Sequence, residues 1–416
     1  MKIAIIGAGI TGLTCGFKLS KKGHKVSIFE KESFPGGLSS GFKLKGWNSS
    51  LENIYHHIFE SDKKAISLLQ ELGISEKLEF KNAKSSILFK GKISQFDSPT
   101  SILKFPHLSV FQKIRVGAIS LSLKLIPQNK LFEKVEAFKA LKIAYGRKAY
   151  EIIWKPLLTS KFGKYYNQVS FLWFWARIKK RSFKLGFLKG GFEILVSKLV
   201  EEIKKNNGEV YLNHEIKSIS SLEKQGFDKI IAAIPTPVFG KIIPKSPAYK
   251  KILNQTEWIG SLNIILILKE KFLTDNTYWL NINEQGFPFL ALVEHTNAVS
   301  SEDFDKKHIL YLGGYYEKNH PIYKRGEKEI LNDFKPFLER INPKYDFNKN
   351  IVDLKKYSSS FSQPIISINH SKKILKYKTP LKNIYLCNME QIYPWDRGIN
   401  YAVEEGMKMA NLIEKE

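Results

Sequence analysis

At 416 residues, with 43% hydrophobic and 13% aromatic side chains, the chain can enclose large cores in two domains and is too apolar to be disordered. Its 66 Lys and Arg against 40 Asp and Glu leave a charge of +26; no nucleic-acid-binding module accompanies it, and the lysines are scattered, so a Lys-rich surface is adopted over an anionic partner. Cys15 and Cys387 exclude a disulfide framework and a cysteine metal site, and no apolar run is long enough to span a membrane.

Residues 2–6 (KIAII) read as a strand, Gly7-Ala8-Gly9-Ile10-Thr11-Gly12 as a turn, and the residues to Lys22 as a helix that Gly23 ends. Residues 25–29 (KVSIF) are a second strand closed by Glu30, and Pro35-Gly36-Gly37 is a second glycine turn. This order brings backbone N–H groups and a helix N-terminus to a pyrophosphate, and puts an acid 18 positions beyond Gly12 near a ribose hydroxyl. The stretch predicts a bound dinucleotide, and Glu30 would repel the 2′-phosphate of NADP. No second glycine fingerprint follows, which argues against a separate NADPH domain. A strand beginning at residue 2 leaves no room for a signal peptide, so a cytoplasmic protein is expected, with peripheral membrane contact open.

Further along, Tyr55-His56-His57-Ile58-Phe59 precedes Ser61-Asp62, a helix cap, and a helix over 63–72. The paired histidines lack a third ligand at metal spacing, so no metal is expected. Residues 87–96 read as a hairpin around Lys90-Gly91-Lys92. Residues 108–126 form a helix with Val110, Ile114, Ala118, Leu121 and Leu125 on one face, which could lie on a membrane but is expected to pack on a core. Helices follow over 137–145 and 147–154, the latter closing before Pro156. Residues 170–181 mix Trp173, Trp175, Arg177 and Arg181, which suits either a pocket for an anionic, greasy substrate or a buried aromatic helix with snorkelling charges.

Gly190-Gly191 opens a helix over 193–205, and strands over 209–212 and 228–234 return the chain to α/β character. Strands over 261–268, 278–282, 287–293 and 309–316 imply an antiparallel sheet, followed by a helix over 326–341 interrupted at Pro336. Glu294-His295-Thr296-Asn297 at a strand end is either a substrate contact or a polar turn. A strand over 383–387, the loop Pro394-Trp395-Asp396-Arg397-Gly398 and a last helix close the chain.

The two glycine turns, GGLSSGF, YHHIF, KPLLTSKFG, GGFEIL and YPWDRGINYAV occur in the order of the flavin amine oxidase superfamily, and the chain resembles its protoporphyrinogen-oxidase-like and phytoene-desaturase-like members. The YHHIF segment also resembles UDP-galactopyranose mutases. The resemblance implies a glutathione-reductase-like FAD-binding Rossmann domain in three pieces (1–82, 186–243, 358–416) and an inserted α+β substrate domain (83–185, 244–357). It implies that Gly7, Gly9 and Gly12 hold the pyrophosphate of FAD, Glu30 the ribose, and Gly36 and Gly37 the ribityl chain. The backbone near Ile216 would meet adenine, and Gly398, Ile399 and Asn400 the pyrimidine end of the flavin. Ala8, Thr11, Lys31, Leu38 and Met389 join the cofactor set. His57 either lies beside the flavin or is structural.

Tyr278, Glu294, His295 and Arg397 are the candidate substrate residues; no catalytic base is singled out. Leu38 stands where amine oxidases carry Arg, and Asn388-Met389 where they carry Gly-Asp or Gly-Glu, which counts against amine oxidation but not against FAD. The expected function is dehydrogenation or desaturation of an apolar or amphipathic small molecule. The alternative is a non-redox flavin isomerase acting on a nucleotide-sugar or lipid-linked sugar, and a non-catalytic flavin scaffold is a third reading.

Overall fold

The computed structural model describes residues 1–244 and 246–416. Lys2–Ile6 is the middle strand of a five-stranded parallel sheet, flanked by Lys25–Phe29 and Lys229–Ala232, with Glu209–Tyr211 and Ile384–Leu386 at the edges. Such strands are covered on both faces, which is why they read as unbroken apolar runs. One cover is the helix Ile10–Ser20 against the C-terminal helix Ile399–Ile413. They approach closely because Gly406 lacks a side chain: a Cβ there would lie 2.6 Å from Thr11 O.

The second sheet has seven strands, in the order Ile351–Pro364, Trp258–Leu268, His308–Glu317, Ala291–Glu294, Trp279–Ile282, Ser85–Phe89, Lys92–Gln95. Its pairings are antiparallel except Trp279–Ile282 with Ser85–Phe89, so the sheet is mixed rather than purely antiparallel. The edge strand Ile351–Pro364 has no counterpart in the sequence reading. Its Lys- and Ser-rich sequence hides it, because backbone pairing to Trp258–Leu268 holds it, not an apolar face. It also crosses residue 358, and Lys184–Leu188 crosses residue 186, the positions at which two domain boundaries are expected.

Two prolines expected to stop helices do not. Glu327–Ile341 runs through Pro336 with Ile330, Leu331, Phe334 and Leu338 buried. Burying those four side chains, at about 1.5–3 kcal/mol each, outweighs the roughly 3 kcal/mol cost of an interior proline. Arg147–Ala149 continues through a π turn, Tyr150–Trp154, into Lys155–Phe162. Pro156 has no N–H to give the preceding turn, and buried Asn283 donates to Ile152 O (2.8 Å) and Ile153 O (3.3 Å) instead.

The helix Val110–Leu125 is turned the other way round from expectation. Val116 and Leu123 pack inward, whereas Val110, Ile114, Leu121 and Leu125 are exposed, together with Phe111 at 85%. Nor is the charge evenly scattered: residues 103–183 carry seventeen Lys and Arg against three Glu. Among the described residues no helix is long and apolar enough to cross a membrane.

Asn283→Ala should strip both carbonyls of their donor and lower stability by about 1–3 kcal/mol in urea denaturation; an unchanged midpoint would show that the π turn satisfies itself.

Candidate functional site

The site begins where the central strand turns into the first helix. Gly7 has φ +101°, and a Cβ there would lie 2.8 Å from Ala233 O. A Cβ on Gly12 would lie 2.1 Å from Gly7 O, so only glycine lets the helix start this close to the strand. Gly9 differs: its Cβ would meet nothing within 4 Å. That open space faces the N-terminus of Ile10–Ser20, where the first N–H groups lack intrahelical partners and favour an anion. The second glycine turn is bonded to the first, with Gly36 N donating to Ala8 O at 2.8 Å. A Cβ on Gly37 would stand 3.2 Å from Gly9 Cα.

Glu30 ends the second strand with a buried carboxylate. Ala8 N donates to its Oε2 (2.9 Å) and Glu32 N to its Oε1 (3.0 Å). Each oxygen keeps acceptor capacity for a ribose hydroxyl. His214 N donates to Glu30 O at 2.7 Å, tying the segment that carries Ile216 to the same strand end.

From here one cavity of about 1270 Å³ runs through the molecule. Gly7, Gly9, Thr11, Glu30, Lys31 and Ile216 border one end. Gly36, Gly37, Leu38, Met389, Gly398 and Ile399 line it too, as do His57 and Arg397, the latter in the cationic cluster that forms a chamber of this cavity. Ala8 and Gly12 lie behind this wall, the first holding Glu30 and the second against Gly7. Asn400 is not on the wall; its Oδ1 accepts from Lys64 N (2.9 Å) and Ala65 N (3.1 Å) and caps the helix Lys63–Glu71. The expected cap, Asp62, instead accepts from Phe59 N at 2.8 Å.

Three candidate substrate residues lie away from this cavity, in the core beside the seven-stranded sheet. Glu294 is buried, and its Oε2 accepts from Phe272 N and Leu273 N, both at 3.1 Å. Tyr278 packs on Phe187, and His295 lies among Phe187, Phe304 and Tyr311. A polar strand end thus reads as a surface site in sequence and is an interior hydrogen-bonded corner in the fold.

The chamber joins Trp173, Arg177, Arg181 and Arg397, which the sequence singles out, to Lys161, Tyr315, Gln363 and Asp396, to which it gives no role. Lys161, buried, and Arg177 approach Asp396 Oδ2 at 3.4 and 3.2 Å. Trp173 Nε1, Gln363 Nε2 and Arg397 N donate to Asp396 Oδ1 at 3.1, 3.0 and 3.1 Å. Burial opposes the charge on Asp396, but Lys161, Arg177 and Arg397 hold its carboxyl well below the usual range. Arg397 donates to Tyr315 Oη at 2.5 Å; burial raises that phenol, and Arg397 and Lys161 outweigh it and lower it. Burial, then Arg181, His56 and Arg177, push His57 down to about 3, so its imidazole is neutral. His57 Nδ1 and Tyr401 Oη, both on residues of the cavity wall, have no protein partner among the described residues. Open space at Gly9, a free helix N-terminus, an acid with spare acceptors and these two orphaned atoms fit FAD.

The family model described as flavin containing amine oxidoreductase matches residues 10–413. The chain belongs to that family, and its cofactor is FAD. An uncharacterised protein of Methanocaldococcus jannaschii is 27% identical over 235 residues, 55% of this chain and 56% of that one. A 4,4′-diapophytoene desaturase of Staphylococcus haemolyticus is 39% identical over 71 residues, 15% of this chain and 14% of the desaturase. The chain therefore matches little more than half the length of the first relative and a small part of the second. A candidate protoporphyrinogen oxidase from Exiguobacterium sp. 255-15 superposes with TM-score 0.78 at 16% identity, covering 100% of this chain and 98% of that one. Reduced UDP-galactopyranose mutase superposes with TM-score 0.78 at 16% identity, covering 100% and 95%. Likeness at this identity is likeness of fold.

Burial raises the Glu294 carboxyl to about 7, although the N–H groups of Leu273 and Phe272 and the Thr296 hydroxyl pull it down. A carboxyl that binds its proton more tightly when folded adds stability that is complete below the ordinary value of 4.5 and lost as pH rises to about 7. Glu294→Gln keeps an oxygen for both N–H groups. It should reduce the fall in urea-denaturation stability between pH 5 and 8 without changing FAD content, whereas an unaltered slope would assign the loss to Glu52 and Glu390, also raised to about 7 by burial.

Proposed function

We propose that this flavin-containing oxidoreductase dehydrogenates or desaturates a largely apolar or amphipathic small molecule, in the manner of protoporphyrinogen-oxidase-like and desaturase-like enzymes. The observation that carries this reading is the single cavity joining the glycine turns to the aromatic and cationic chamber. When bound, FAD supplies hydride acceptance at its N5 position. The chain contributes binding, orientation and exclusion of water.

In this reading the N–H groups at the start of Ile10–Ser20, with Thr11 at the wall, hold the pyrophosphate, and Glu30 takes ribose hydroxyls, with Lys31 beside it. Ile216 covers the adenine, and Gly36 to Leu38 leave a path for the ribityl chain. Gly398 has no side-chain cap to occupy the N-terminus of Ile399–Ile413, so that helix end, beside Met389, favours negative charge on the pyrimidine ring. Neutral His57, on the same cavity wall, offers hydrogen bonding without adding positive charge. Tyr55, Phe59 and Trp279 wall the chamber and keep it dry. A glutathione-reductase-like FAD domain is assigned to 1–82, the segment from Lys184 to 243, and the residues after Pro364, with the substrate domain between.

The UDP-galactopyranose-mutase-like fold and the cationic chamber favour a second reading, a non-redox isomerase of a nucleotide-sugar or lipid-linked sugar. The two readings separate under anaerobic conditions: substrate bleaches the flavin in the first, and turnover requires flavin reduced beforehand in the second. A flavin that neither reductant nor substrate alters would favour the scaffold reading.

The reading extends to peripheral attachment at an anionic lipid surface. Eleven of the seventeen exposed large apolar side chains among the described residues lie between Leu103 and Phe183, among them Phe111, Ile114, Leu121, Leu131 and Ile143. They share that segment with its seventeen basic residues, the pairing of apolar insertion with charge attraction that binds bilayer surfaces.

Glu30→Ala should raise the FAD dissociation constant about tenfold or more, through hydrogen bonds to a charged acceptor, and yield paler protein; equal occupancy would overturn the ribose assignment. Co-sedimentation with phosphatidylcholine–phosphatidylglycerol vesicles should be strong and salt-sensitive, and Phe111→Asp with Leu121→Asp should abolish it. Binding unaffected by both changes would remove this helix from the lipid contact.

A further inference from the structure

We propose that the chamber grips an oxyanion, a carboxylate or phosphate, on an amphipathic substrate, using Lys161, Arg177, Arg181 and Arg397. The proposal rests on the reading that this chamber receives the substrate.

The charges do not balance without such a group. Among the described residues Asp396 is the one carboxylate paired with these cations; Asp97, which accepts from Ser85 N at 2.9 Å, acts on Arg181 only at a distance. Asp396 Oδ2 is shared by Lys161 and Arg177, and its Oδ1 already accepts from Trp173, Gln363 and the Arg397 backbone. Arg397 directs its guanidinium to Tyr315 Oη (2.5 Å) and the Tyr315 ring (5.6 Å) rather than to a carboxylate. Arg181 has only Ser85 Oγ at 3.5 Å and no ion pair among the described residues. Its surface is exposed to the cavity, yet the surrounding protein desolvates it enough to push it down to about 10, with Arg177 adding to the effect. The other charges bordering the chamber offset each other. Lys180 lies over the Trp395 ring at 4.5 Å, and burial raises the Asp62 carboxyl to about 6 although Phe59 N and Lys180 pull it down.

Positive charge therefore exceeds negative charge in a partly desolvated space, where unpaired charge is costly and an entering anion is held strongly. Two or more guanidiniums suit the fork geometry of carboxylate and phosphate oxygens. The apolar remainder of the ligand would lie along Tyr55, Phe59, Leu185 and Trp279. An ammonium group would enter against like charges. The same cluster thus selects oxyanions and rejects amines within a family described by amine oxidation.

The test titrates the FAD-loaded protein with decanoate, decyl phosphate and decylamine, following flavin difference spectra and calorimetry. At least one oxyanion should bind and decylamine should not, and the stronger oxyanion identifies carboxylate or phosphate. Arg181→Gln and Arg397→Gln should each weaken that binding about tenfold or more, with FAD occupancy kept, while Arg181→Lys retains most of it. Decylamine binding as tightly as the oxyanions, no binding of any probe, or oxyanion affinity unchanged in both variants would overturn the proposal. If one Gln variant fails to fold, the other decides. Protein that takes up no FAD would overturn the proposed function, and calorimetry with the same three probes would still decide the subsite.

Discussion

The contact on which the remaining architecture depends is the one that leaves no room for a side chain at Gly12. A Cβ 2.1 Å from Gly7 O would push the first helix off the central strand. That helix packs on the C-terminal helix through Gly406, and the C-terminal helix in turn begins at Gly398 on the cavity wall. Asn400, two residues on, caps the helix Lys63–Glu71. The start of the chain, its end and the segment after His57 are thus held in one arrangement by close backbone approach and two amide hydrogen bonds. The Glu30 carboxylate adds a further tie, since its oxygens bind backbone N–H groups from both sides of the strand end. Rigidity at this end is what a cofactor site needs, because misplacing reacting groups by about 1 Å costs on the order of a hundredfold in rate.

The far end of the cavity obeys a different rule. Its residues come from separate elements: Lys161 from Lys155–Phe162, Arg177 from Phe171–Lys180, Tyr315 from His308–Glu317, and Arg397 from the loop before the last helix. Electrostatics, not backbone contact, relates them. Asp396 is ionised because three cations outweigh its desolvation, and the cations tolerate one another because Asp396, the Tyr315 hydroxyl and the Trp173 ring lie between them. Such a set is sensitive to the charge of whatever enters it, whereas the glycine turns respond mainly to shape.

This difference explains what the sequence disclosed. A glycine turn is local, so Gly7, Gly9, Gly12, Gly36 and Gly37 were legible from spacing, and the helices Ala137–Tyr145 and Glu193–Lys205 were legible from apolar period and glycine stops. Local signals failed where a distant partner decides. Pro156 does not end its helix because a π turn and Asn283 take up the defect, and Ile351–Pro364 is a strand because Trp258–Leu268 supplies its ladder. Glu294 and His295 look like a polar strand end until the backbone N–H groups and aromatic rings around them are seen. Lys161 meets Asp396 across 235 positions and Tyr315 across 154, relations that no periodicity encodes.

The amphipathic helix Val110–Leu125 is the sharpest case, because the apolar period predicts the helix but not which way its stripe faces. An apolar stripe shows that something covers it, not that the chain's own core does. Exposed lysines around that stripe act at a distance that salt screens within about 8–10 Å, so their pull on an anionic surface is adjustable by ionic strength. The chamber cations stand in a partly desolvated space where screening is weak. The two positive regions therefore play separate parts in one sequence of events. On the proposed readings the outer one would concentrate amphipathic anions together with the surface that carries them, and the inner one would retain those whose oxyanion reaches Arg181 and Arg397. The part of the net charge gathered over residues 103–183 and at Arg397 is in this account two devices of different range with the same chemical preference.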